Sequence, residues 1–231
     1  MPFLIALIGL GLVGLLVAWG RRAARLRRAA LAALAAEWGW RFDPDHDAAH
    51  DEEYAHFELF RRGHSRSAYN TLSGALTLDG RRWPAKAGDF RYMVTSSDGK
   101  HTTTHTYVFS YLIVHLPFRG VPDLLIPREG LFDKLAGVFG FDDIDFESEE
   151  FSRRYCVKSP DKRFAYAVVH PRMLEFLLAE QPPAIDIEQG RCCLTDGRSR
   201  WSPEEFRARR EVAVRFFEHW PEHLVVGLET A

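Results

Sequence analysis

The chain opens on an apolar run, and only beyond it do apolar residues begin to alternate with polar ones. Pro2 to Gly20 is nineteen residues without a charge, and Arg21 to Arg28 then carries five arginines. As a helix such a run would extend roughly 28 Å, close to a bilayer's hydrocarbon thickness. The pattern predicts a transmembrane helix over 1–20 with Trp19 as an interfacial anchor, followed by a basic juxtamembrane helix over 21–40. Arg21, Arg22, Arg25, Arg27 and Arg28 then set the topology: N-terminus outside, the rest in the cytoplasm, a single pass through the inner membrane. No positive charge precedes the run and no cleavage signal follows it, which disfavours a signal peptide. Leu31, Leu34 and Trp38 share one helical stripe, to pack on the domain or lie along the membrane.

From residue 41 to 231 the pattern predicts one cytoplasmic α+β domain, with a possible subdivision near 118–123. Arg41 to Glu53 reads as a polar loop or short helix with a turn at Asp43-Pro44-Asp45, and Glu58-Leu59-Phe60 as a start to the sheet. Leu72, Gly74, Leu76 and Leu78 alternate before Asp79-Gly80, a two-residue turn signal, and Phe90, Tyr92 and Val94 alternate after it. Pro84 marks a bulge or an edge. Thr103 to Leu116 is apolar on both faces in its second half, the sign of a central strand. These three strands predict an antiparallel meander from Asn70 to Leu116.

Beyond Pro117 come a short strand at Leu124-Leu125-Ile126, a short helix over Leu131 to Val138, and an exposed edge strand in the acidic run from Asp142 to Glu150. Phe151 to Val157 reads as another strand. A helix opens at Ser159-Pro160-Asp161 and restarts at Pro171. Ile185 to Glu188 and Arg191 to Leu194 form a hairpin about Gln189-Gly190. Ser202-Pro203-Glu204-Glu205 is a capping box that launches the last helix. The expected fold is a transmembrane helix followed by an antiparallel sheet, with helices concentrated in the C-terminal half.

Phe151-Ser152-Arg153-Arg154-Tyr155, Arg163-Phe164-Ala165, Pro171 with Met173, and the Ile187-Glu188 hairpin resemble a family of uncharacterised bacterial single-span membrane-anchored proteins, a domain of unknown function. The resemblance implies location and fold, and carries no activity.

Charge nearly balances, with 30 basic residues against 32 acidic, so the domain without its arginine cluster is acidic and nucleic-acid binding is disfavoured. Three cysteines, Cys156 and the adjacent Cys192 and Cys193, form no C-x-x-C motif, and on a strand the adjacent pair would face opposite ways. Ten histidines raise the question of a metal. His46 and His50, with His56 nearby, have the four-residue spacing of zinc ligands on a helix but lack the glutamate of H-E-x-x-H, so a solvated polar loop is the commoner meaning. His101 with His105 and His219 with His223 are poorer pairs, and the acidic run lacks a calcium loop's glycine. No nucleophile or phosphate-loop motif is present, which disfavours an enzyme, and no cofactor is implied.

The leading expectation is a membrane-tethered cytoplasmic interaction or scaffolding module without catalysis. Its partners would be the lipid bilayer and a protein, with homo-oligomerisation possible, and a long strand could supply an open edge for strand addition. The alternatives are a metal-binding hydrolase or metal sensor at His46, His50 and His56, and lipid-surface sensing through Arg21–Arg28.

Overall fold

Helix α1 runs unbroken from Pro2 to Trp38 and stops at Gly39, whose positive φ of 66° closes the helix. The Gly39 amide donates to the Ala36 carbonyl and the Trp40 amide to that of Ala35, the paired bonds of a Schellman cap. The computed structural model describes residues 2–99, 101–127 and 143–230, with side chains from residue 11 onward.

Among the described residues there are seven strands and eight helices. After α1 come β1 (Arg41–Asp43), α2 (His50–Glu53), α3 (Glu58–Arg61), β2 (His64–Leu78), β3 (Arg81–Ser97), β4 (Thr102–His115) and β5 (Leu124–Ile126). Then follow α4 (Glu149–Arg154), α5 (Lys162–Val168), α6 (Pro171–Glu180), β6 (Ala184–Glu188), β7 (Arg191–Thr195), α7 (Pro203–Glu218) and α8 (Glu222–Thr230). The strands form one antiparallel sheet in the order β1-β2-β3-β4-β7-β6-β5. The fold is α+β, but the helices are not concentrated in the C-terminal half: the longest is α1, and α2 and α3 precede the meander.

Both predicted hairpins are present, with left-handed backbone at Asp79-Gly80 (φ 48° and 73°) and Gln189-Gly190 (φ 48° and 70°). Pro84 lies one residue beyond the end of the β3–β4 ladder at Ala85, where β3 has a neighbour on one side only. The capping box at Ser202 is complete, its hydroxyl accepting from the Glu205 amide and Glu205 accepting from the Ser202 amide.

Three local expectations are corrected. Glu58-Leu59-Phe60 does not begin the sheet but lies in helix α3, whose first turn is closed by the Phe60 amide donating to the Phe57 carbonyl at 3.0 Å, with Leu59 and Phe60 both buried. Phe151 does not open a strand but sits in α4, capped by Ser148, with Glu149 and Glu150 in its first turn and Arg153 and Arg154 in its last. Helix α5 is capped by Asp161 rather than Ser159, whose hydroxyl bonds the Asp123 carbonyl at 2.6 Å. The expected helix over Leu131 to Val138 lies outside the described residues.

Each sheet face has its own core. The larger packs Leu72, Leu76, Leu112 and Val114 under Leu31, Leu34 and Ala35 of α1 and Phe206, Ala213 and Phe216 of α7. The stripe on α1 therefore packs on the domain. The smaller packs Phe90, Phe109 and Tyr111 under Tyr54, Phe57 and Phe60 from the α2–α3 segment. Cys192 belongs to the first core and Cys193 to the second, as strand alternation requires.

Ala68 and Leu72, an even number of residues apart, nevertheless face opposite cores. A register shift between Tyr69 and Leu72 inserts one residue, with Asn70 at φ 52°.

Candidate functional site

That bulge serves a buried charge. Asp89 on β3 is fully buried, and its carboxylate accepts from Arg27 Nε at 2.8 Å and Nη2 at 2.5 Å, from Asn70 Nδ2 at 2.9 Å, and from the Ser110 hydroxyl at 2.7 Å. Arg27 Nη1 also donates to the Trp201 carbonyl at 3.0 Å. The arginine thus pins α1 to β3 and to the strand–helix connection before α7. A bidentate pair with its remaining lone pairs occupied is the arrangement in which a buried charge is tolerated.

This corrects the membrane reading of the N-terminus. Among the described residues no helix is long and apolar enough to cross a membrane, so the transmembrane segment, the single-pass topology and the inner-membrane location do not stand. Arg27 is part of the domain rather than an orienting charge; Arg21, Arg22, Arg25 and Arg28 are exposed. Leu15, Leu16 and Trp19 are 70 %, 66 % and 72 % exposed, so this stretch of α1 stands clear of the domain.

The histidines do not assemble a metal centre. His50 is fully buried at the start of α2, its ring centred 4.7 Å from Tyr54, 4.8 Å from Phe60, 5.6 Å from Phe90 and 4.7 Å from Tyr111. Burial, with Lys86 nearby, holds its pKa down to about 2, so it is neutral in the folded protein, and neither ring nitrogen has a hydrogen-bond partner among the described residues. It is a core residue of the smaller cluster. His46 instead places Nδ1 3.0 Å from the Ser67 hydroxyl and its ring against Tyr69. His56 packs on Phe57, and burial, with Arg191 and His115 nearby, lowers its pKa to about 4. Among the described residues no group of three or more His, Cys, Asp or Glu side chains is placed to hold a metal ion.

A polar cavity of about 240 Å³ lies beside β1, lined in part by Arg41, Asp43, Asp45, His46, Asp47 and Lys86. Its charged groups largely satisfy one another. Lys86 reaches Asp47 at 3.3 Å and Glu53 at 3.2 Å, Asp43 accepts from the Asp45 amide, and Asp47 accepts from the Ala49 amide.

What the sheet leaves open is an edge. Strand β7 covers β4 only from Leu112 to His115, and the Ser110 amide is taken by the Ser199 carbonyl at 2.9 Å. Among the described residues no strand pairs with the outer side of Thr102–Phe109. On its inner side β4 pairs with β3 without a register shift from Ala85↔Val114 to Ser97↔Thr102. Strand β2 follows β3 only as far as His64↔Met93, so Val94–Ser97 and Thr102–His105 project as a two-stranded arm.

One face of this arm carries Tyr92, Val94, His105 and Tyr107, since Tyr92 is opposite Tyr107 and Val94 opposite His105. Tyr92 and Tyr107 stack with centroids 5.0 Å apart, continuing the Phe90–Phe109 packing of the smaller core outward. Val94 and Tyr107 are 37 % and 40 % exposed. On the other face the His64 ring and the Thr104 hydroxyl both bond the Thr95 hydroxyl, at 2.9 and 3.0 Å, fixing the base of the arm. The arrangement can bind an extended chain through its backbone and hold apolar side chains beside the tyrosines.

No protein-family model matches the chain, and no curated protein matches it. Among solved structures it is similar to the crystal structure of the mycobacterial trehalose monomycolate transport factor A, TtfA, with a TM-score of 0.55 and 11 % identity over 82 % of this chain and 91 % of that one. At that identity the likeness is one of fold.

Proposed function

We propose that this chain is a non-catalytic protein-interaction module whose working surface is the open edge of β4 together with the tyrosine-bearing face of its arm. The observation that carries the reading is the uncovered run Thr102–Phe109, a long, regular strand whose outer side has no partner strand among the described residues. Sheets ordinarily blunt such an edge with charge, proline or a bulge, because it is a template for another strand. Here none of those devices is used.

The test is a photo-reactive amino acid placed at Tyr107 in the living source cell, with Thr77, an exposed position on β2, as the control. A discrete protein adduct from position 107 that is absent from position 77 is expected. If position 107 yields no protein adduct, or the same set as position 77, the reading fails.

A further inference from the structure

Resting on that reading, we propose that the occupant of the β4 edge is a second copy of this chain, added antiparallel so that two arms join into one continuous four-stranded ribbon about a two-fold axis. The residues of the edge are Thr102, Thr103, Thr104, His105, Thr106, Tyr107, Val108 and Phe109, with no Asp, Glu, Lys or Arg among them. A foreign partner selected by charge would need charge to read, and this strand has none. Paired with itself it brings no like charges opposite one another, and it sets β-branched and aromatic side chains against β-branched and aromatic ones, the pairs that stabilise antiparallel ladders.

The arm also supplies the motive for pairing. A two-stranded ribbon is marginal by itself in water, and beyond Met93 this one has no third strand among the described residues. Antiparallel pairing across a perpendicular two-fold keeps each face on its own side of the new sheet, so the Tyr92–Tyr107 stacks of the two copies lie on one continuous surface. A closed, isologous contact of this kind consumes both edges and stops at two copies.

The experiment is sedimentation equilibrium of the purified full chain, comparing wild type with the double variant Thr104→Lys/Thr106→Lys. A control double variant, Thr77→Lys/Thr230→Lys, adds the same charge at exposed positions away from the arm. Circular dichroism confirms that all three are folded. Wild type and control are expected to dimerise alike, while the arm variant, which sets lysines against lysines, dissociates at least about tenfold more readily. Monomeric wild type overturns the proposal, as does a dimer that the arm lysines leave unchanged. If wild type is monomeric but Tyr107 still captures a different protein in cells, the interaction-module reading survives while the second copy is rejected.

Discussion

Replacing Arg27 by alanine leaves the Asp89 carboxylate buried with only Asn70 and Ser110 to satisfy it, and removes the donor to the Trp201 carbonyl. Breaking a buried pair by deleting one partner costs about 3–5 kcal/mol, most of it the uncompensated charge. In a chain of this size that corresponds to a melting temperature lower by roughly 6–20 °C. Replacing both partners, as Arg27→Met with Asp89→Leu, removes the stranded charge and recovers most of the loss. Arg27→Lys preserves the charge but not the two-pronged geometry, and falls between wild type and alanine. Urea denaturation followed by tryptophan fluorescence, on wild type, both singles and the double, gives the coupling free energy directly. If Arg27→Ala lowers stability by less than about 1 kcal/mol, or Arg27→Lys is indistinguishable from wild type, the arginine is a surface charge and its structural role is wrong.

Two further outcomes follow from local geometry. His50 is held neutral by burial, its pKa lowered from 6.5 to about 2. Between those values the unfolded chain takes up a proton that the folded one refuses, so stability falls as pH drops below 6.5, by up to about 1.4 kcal/mol per pH unit from this residue. Urea midpoints at pH 7, 5 and 4 should therefore decline less steeply in His50→Phe than in wild type; parallel declines would contradict it. A Cβ at Gly74 would stand 2.3 Å from the Trp40 indole, whose Nε1 donates to the Ala75 carbonyl. Gly74→Ala should cost about 1–3 kcal/mol in the same assay, with a shift in tryptophan emission as the ring is displaced.

The hairpins were legible because their two-residue turns need positive φ, and the last helix because Ser202 and Glu205 form a reciprocal cap four residues long. The facing of Cys192 and Cys193 follows from strand alternation alone. Arg27 was not legible as a structural residue: it sits in a basic cluster that reads as one unit, and its partner is 62 positions away. The available signal was Asp89, the one acidic residue of β3, which continues the alternation of the buried Ala85 and Ala87. His50 was hidden by the acidic residues after it, although His50, Tyr54 and Phe57 fall at the four- and three-residue steps of one helical face. The open edge had a faint signal too, because a five-residue β7 cannot cover a fourteen-residue β4. Which strands become neighbours is a tertiary fact, and no local pattern in β4 names β7.

The claim that the β4 edge is open is tested most directly by residue-resolved amide hydrogen exchange on the full chain, diluted until sedimentation shows a monomer. Alternate amides in Thr102–Phe109, those pointing away from β3, should exchange at nearly unprotected rates while their inward neighbours are slow. Uniform protection along the whole stretch would mean that the edge is already occupied within one chain, and would contradict the account.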